Sequence, residues 1–344
     1  MEVDLSPKAA EKVAREAAVQ SFDNAARSIA IEWCMDRLDG KQVQRWSEKL
    51  GERVVKDRQR AIEAYERGER QACRENDPPL LVIEIDGGRV QNRLKNEEGS
   101  RWREDKLVTV STALKGNPKA RKKRDRVPKM LVTTHVATMG DAQEIGKLAR
   151  VEAEQRMLCR AQEVVVLGDG AAWIDGVCAD HFACHARIVD YYHAAQHVHD
   201  CAKAIWPQDE GQQKALAEQW KTLVWKGKIR ELIEPLKMAS AQCGEPLKED
   251  GPQHPRRVLH QNVGYFTKHA EHMKYPEYRR QGWPIGSGTV ESGMKQVNKR
   301  MKGTDQFWST DGAETILALR GQWLSQDGRW EHYWLCADPA SKAA

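Results

Sequence analysis

The stretch LLVIEIDGG, residues 80–88, and its echo EVVVLGDGA, residues 163–171, decide how this chain is read. Each is a short run of Leu, Val and Ile that closes on an acid and a glycine. Runs this short and this rich in β-branched residues predict buried strands rather than helices. An acid in such a setting is costly unless it emerges at a strand end or meets a cation. Asp86 and Asp169 are therefore candidate site residues. The glycines beside them let the backbone turn sharply and let a substrate approach closely.

Outward from Asp86, REDKLVTVSTALK (103–115) gives another strand-like run after the polar break KNEEGS, so an antiparallel meander is expected. MGDAQEIGKLARVEAEQRMLCRA (139–161) has helical periodicity and feeds the strand that ends near Asp169. A helix from about Trp173 to Ala183, the strand HARIVD and the helix YYHAAQHVHDCAKAIW follow. The order strand, strand, strand, helix, strand, helix, strand predicts an α/β fold with a ribonuclease H-like core, a mixed sheet flanked by helices. Residues 194–283 are mostly helical by pattern, too long for a loop, and predict a large all-α insertion. Residues 284–344 then resume the core, and 79–193 form its first part.

Residues 1–78 form an N-terminal helical region ahead of the strands. Ser6-Pro7 is a helix-start signal. SFDNAARSIAIEWCMDRLDGKQVQRWSEKLGERV (21–54) reads as two helices about a short turn at Asp39-Gly40, a helix-turn-helix outline in which Gln42, Gln44 and Arg45 face a groove. A further helix runs through Tyr65 and Arg70 to the boundary ENDPP.

A third acid, Glu291, lies on the expected helix of WPIGSGTVESGMKQVNKR (283–300). Spacings of four put Glu291, Lys295 and Lys299 on one face, with Arg300 and Lys302 close behind. That is either a carboxylate beside a phosphate-binding stripe or an ordinary ion-pair ladder. The run KGNPKARKKRDRVPK (115–129) adds Lys115, Lys119, Arg121, Lys122, Lys123 and Arg124, a solvated loop or a phosphate-contacting one. Trp308, just past the basic helix, is a candidate for stacking on a base, with core packing the competing role. Cys178, His181, Cys184 and His185 in CADHFACH invite a zinc reading, but zinc sites draw ligand pairs from separated segments.

Bulk properties set the frame. The chain has 344 residues, is 31% charged and carries a net charge of +5, compatible with a polyanionic partner. Mean hydropathy is −0.72, and no apolar run approaches the roughly 20 residues that span a bilayer. The start MEVDLSPKAAEK lacks a hydrophobic signal core, and the eight cysteines suggest no disulfide framework. A cytoplasmic protein, associated with the nucleoid when on DNA, is the expectation. Twelve tryptophans against four phenylalanines must serve chiefly as packing residues.

Four blocks in this order, IDGGRVQ, VVVLGDGAAWI, DYYHAAQH and WPIGSGTVESGMKQVNKRMKGTDQFW, resemble the DDE transposases of bacterial insertion sequences. The closest likeness is to the IS-Kra family, a relative of Mutator-like elements, and it runs from about residue 79 to Trp334. The resemblance implies that Asp86, Asp169 and Glu291 are the Asp-Asp-Glu ligands of two ions, Mg²⁺ or Mn²⁺. It implies a site role for the D-x-x-H pair, Asp190 and His193. Substrates would be double-stranded DNA, the element's terminal inverted repeats and a target, bridged by a homodimer or larger assembly. Members of the family tend to carry a cysteine-rich segment ahead of the helical region, and this sequence shows none. That leaves a shortened or domesticated DNA-binding copy, or a nuclease that cuts without joining, as alternatives.

Overall fold

The computed structural model describes residues 5–69, 77–303 and 306–336. A five-stranded mixed sheet is built from β1 (Leu80–Gln91), β2 (Trp102–Leu114), β3 (Lys129–Thr138), β4 (Val164–Gly168) and β5 (Ala186–Val189), in the order β3-β2-β1-β4-β5. The first three strands are an antiparallel meander, as the polar breaks predict, and β4 and β5 join it in parallel. Parallel pairing of β1 with β4 runs from Leu81↔Val164 to Ile85↔Gly168 and stops there. Beyond that point β1 keeps only β2 as a neighbour, out to Gln91↔Trp102. Asp86 therefore does not end its strand, as the sequence suggests. It marks where the parallel ladder opens.

Alternation along β1 assigns its two faces. Leu81, Ile83 and Ile85 face helices α4 (Ala142–Gln155) and α5 (Ala172–His181), with Ile145, Ala149, Ile174 and Val177 in the same core. On the other face, Leu80 and Val82 meet one cluster and Val90 meets another. The first contains α6 (Tyr191–Ile205), α7 (Glu210–Trp225), α8 (Ile229–Cys243), α9 (Pro255–His269) and α10 (Tyr275–Gln281). The second contains α11 (Gly288–Met301), α12 (Thr310–Leu324) and the N-terminal helices α1 (Pro7–Val19), α2 (Phe22–Glu32) and α3 (Gly40–Glu66). The helices of 194–283 thus seal half of a sheet face. Those of 1–78 share a core with the helix that carries Glu291. Each fully buried Leu, Ile or Val in these clusters contributes roughly 1.5–3 kcal/mol.

The N-terminal helices differ from the expected helix-turn-helix. Asp39 accepts the amide of Lys41 at 2.9 Å as the N-cap of α3, so Asp39-Gly40 opens a helix rather than turning between two. Trp33–Asp39 is the actual connection, longer than the three- or four-residue turn of that motif. α3 then runs unbroken to Glu66, which absorbs the further helix expected there, while Arg70 lies outside the described residues. Gln42 and Gln44 are half-buried, and Gln44 bonds Glu48 at 2.8 Å; Arg45 is exposed. A Cβ at Gly51 would lie 2.7 Å from the Thr315 carbonyl, so glycine there permits the close approach of α3 to α12. No described helix is long and apolar enough to cross a membrane.

Candidate active site

Asp86 and Asp169 sit at neighbouring positions where the β1–β4 ladder ends. Asp86 turns one carboxylate oxygen onto its neighbour's amide, Gly87 N, at 2.8 Å. Asp169 caps its own loop, accepting Ala171 N at 2.8 Å, while its carbonyl accepts the Tyr265 hydroxyl at 3.2 Å. Gly170 holds φ +94°, and a Cβ there would meet the Tyr265 ring at 2.9 Å. Helix α9 therefore reaches into the site, a contribution for which Tyr265 gives no sequence signal.

Glu291 occupies the first turn of α11, half-buried, with Lys295 Nζ 4.0 Å away. Burial raises the Asp86 carboxyl to about 6, with the charges of Asp169 and then Glu291 pushing the same way against the Gly87 bond. Three acids spread over 205 positions (291 − 86) thus act on one another through a partly dry space. Repulsion of this kind is relieved by a hard cation, and an all-carboxylate donor set suits Mg²⁺ or Mn²⁺. Among the described residues no three His, Cys, Asp or Glu side chains stand close enough to hold a single ion as placed.

The start of α11 is fixed from outside the helix. Ser287, its N-cap, gives its hydroxyl at 2.8 Å and its amide to Asp190 Oδ2 instead of capping its own helix. Glu84, two residues before Asp86 on the same face, accepts Val290 N at 2.7 Å. Both carboxylates are fully buried. Each satisfies a donor at a helix N-terminus that would otherwise go unpaired. Burial raises Glu84 to about 7 against the bonds it receives. Glu84 is a site residue that sequence reading missed, although an acid inside an apolar run was its signal.

Asp190, to which the resemblance gives a site role, has both carboxylate oxygens engaged. Oδ1 accepts His193 N at 2.7 Å and Oδ2 takes both Ser287 bonds, so the carboxylate is a structural tie between α6 and α11. His193 is exposed, its ring 4.8 Å from His197, which stacks at 3.9 Å on Tyr265. It belongs to a ring cluster bordering Asp169.

Asp105 is a second unforeseen acid. It is fully buried opposite Gly88 on β2, neither oxygen has a hydrogen-bond partner, and burial raises it to about 6.

Arg300, expected to meet DNA, is buried instead, and Trp308 takes the packing role weighed against base stacking. Arg300 is 2% exposed, donates Nε to the Ala17 carbonyl, and stacks 4.7 Å from the Phe22 ring and 4.9 Å from Trp308. Its pKa falls to about 9 through burial, with Arg320 adding to the fall. Trp308 is 4% exposed and donates Nε1 to the Met301 carbonyl at 2.9 Å. Arg300 falls on the inner face of α11, and Trp308, past the end of that helix, meets the Phe22 ring at 5.9 Å, so both lock the segment to the N-terminal helices. Lys295, Lys299 and Lys302 fall on the outer one and are exposed. Phe307, next to Trp308, is exposed, with the Arg101 guanidinium 5.2 Å over its ring.

The basic run lies elsewhere. Lys119, Arg121, Lys122, Lys123 and Arg124 are exposed in the β2–β3 connection, and Lys115 pairs with Glu163 at 2.8 Å. That connection leaves β2 beside the start of β1, where Leu80 pairs with Ala113, at the opposite end of the sheet from Asp86. No family model matches the chain, and no curated protein matches it.

Proposed function

We propose that the protein is a DNA transposase of the DDE type, cutting the ends of an insertion sequence and joining them to target DNA. The placing of Asp86 and Asp169 at adjacent ends of the β1–β4 ladder, with Glu84 of the same strand bonded to Val290 N beside Glu291, carries the reading. The strand order β3-β2-β1-β4-β5, with an antiparallel meander and two parallel additions, supports a ribonuclease H-like core.

Asp86, Asp169 and Glu291 are the residues that would hold the divalent ions. When bound, such ions lower the pKa of an attacking water or 3′-hydroxyl and stabilise the leaving oxygen. The chain's own residues do the rest. Glu84 and Asp190 hold the first turn of α11, and so Glu291, against the sheet. Lys295, Lys299 and Lys302 present charge to the phosphates on either side of the scissile bond. Phe307, with Arg101 above it, offers an exposed ring beyond the end of α11.

The test is the product pattern. Purified protein, DNA from the borders of its gene and a plasmid target are incubated with Mg²⁺ or Mn²⁺. Nicked ends covalently joined to plasmid are expected. Nicking without joining would leave a cleavage-only nuclease, and binding without nicking in either metal would leave a DNA-binding protein.

A further inference from the structure

The segment CADHFACH, residues 178–185, does not assemble as a four-ligand metal site. His185 Nδ1 accepts Val164 N at 3.0 Å, and the His181 ring packs over Gly146. What it assembles is a pair of thiols. The sulfurs of Cys178, buried on α5, and Cys184, half-buried before β5, are 3.6 Å apart and hydrogen-bonded. Arg187, on β5, lies near enough to favour the thiolate at both, while its Nη2 pairs with Asp175 Oδ1 at 3.4 Å.

We propose that Cys178 and Cys184 form a reversible dithiol–disulfide pair, oxidised by a small disulfide such as oxidised glutathione. The separation exceeds an S–S bond by only about 1.6 Å, a gap that side-chain rotation can close. Cys184 is the attacking group because it is the more exposed. The hydrogen bond from Cys178 lowers its pKa to about 7 despite burial, with Arg187 adding to the fall. Cys178 is held in the thiol form, chiefly by donating that bond and by burial.

Cys184 thiolate attacks one sulfur of oxidised glutathione and expels glutathione thiolate, leaving a mixed disulfide. Cys178 then gives up its proton and attacks the Cys184 sulfur, expelling the second glutathione. Two electrons and two protons pass from the cysteine pair to oxidised glutathione, which leaves as two molecules of reduced glutathione. The resulting bridge joins the last turn of α5, which follows Asp169, to a position two residues before β5, which leads into Asp190.

Both cysteines fall in the single tryptic peptide Ala161–Arg187, which makes the experiment direct. The full chain is exposed to oxidised glutathione, alkylated under denaturing conditions, digested and weighed. An unalkylated peptide about 2 Da lighter than the dithiol is expected, reverting with dithiothreitol. Cys178→Ser should leave Cys184 as a stable glutathione adduct, and Cys184→Ser should leave Cys178 unmodified. Exposed Cys34 and Cys159 report that the oxidant was active. A glutathione adduct on Cys184 of the parent chain without the bridge would overturn the proposal. So would an unreacted pair, or a bound equivalent of Zn²⁺ that either substitution removes. None of these outcomes depends on DNA chemistry, so the result stands or falls apart from the transposase reading.

Discussion

Two basic segments, the connection Lys115–Lys129 and the outer face of α11, look alike as sequence and differ in everything else. The connection is the longer and denser run, yet it lies at the end of the sheet where Leu80 pairs with Ala113. Six residues of strand, about 20 Å, separate that pair from Asp86↔Leu107. α11 has fewer free cations, because Arg300 is buried inside the core. Its three lysines, however, follow Glu291 at the opposite end of the sheet. Charge density alone therefore does not tell which basic surface adjoins the acids; strand register does.

The largest expected effect falls at the acids. Asp86→Asn, Asp169→Asn and Glu291→Gln should each cut nicking and joining by a factor of about 1,000 or more, because a carboxamide is a poor ligand for a hard cation. DNA affinity, measured by anisotropy in EDTA, should stay within about threefold, since phosphate contacts lie elsewhere. Parental turnover in any one of the three would remove that residue from the site.

Next comes the tie that holds α11. Glu84→Ala should slow nicking about 10- to 100-fold through a displaced Glu291, while Glu84→Gln, which keeps an acceptor for Val290 N, recovers most of the rate. Equal loss in both variants would mean that the charge, not the bond, is what Glu84 supplies.

A direct contrast of the two basic segments follows. Lys299→Ala with Lys302→Ala, and Lys122→Ala with Lys123→Ala and Arg124→Ala, should each lower the salt slope of DNA binding by roughly one for every phosphate no longer neutralised. Only the first set should slow nicking at saturating DNA. If the loop variants slow it as well, the two surfaces act on one segment of DNA and their distance along the sheet has no functional meaning.

The smallest effect on function, and a clear one on stability, concerns Asp105. Asp86 and Asp105 are raised to about 6 and Glu84 to about 7, so these three carboxyls bind more protons in the folded chain than in the unfolded chain above pH 4. Their contribution to the unfolding free energy therefore falls as pH rises from about 4 through 7 in the absence of divalent ions. Asp105→Asn should remove the Asp105 share of that fall and stabilise the chain at pH 7 by roughly 1–3 kcal/mol. Urea titrations of the parent and the variant at pH 5 and pH 7 in EDTA measure both, and a stability difference that does not grow between pH 5 and pH 7 would show that Asp105 is paired in solution.

How legible the molecule was depended on whether a signal was local. Strand runs such as LLVIEI and VVVLG stand out because β-branched residues buried on both sides leave no polar alternation. Glu291 was readable as a helix residue beside lysines four apart. Arg300 misleads because a one-residue step turns a helix by about 100°, and only packing shows which side faces in. Asp39-Gly40 misled for a similar reason: an aspartate suits both a turn and a helix cap, and the chain that follows decides between them.

By itself, the sequence determined the alternation of strands and helices, the antiparallel meander and the identity of three acids in unusual settings. Periodicity and local chemistry are written residue by residue. Only the tertiary structure decided that the three acids share one field, that Glu84 and Asp190 fix the helix between them, and that the basic loop stands at the far end of the sheet. Those facts depend on which strand ends become neighbours, and neighbours distant in sequence are chosen by the burial of whole faces.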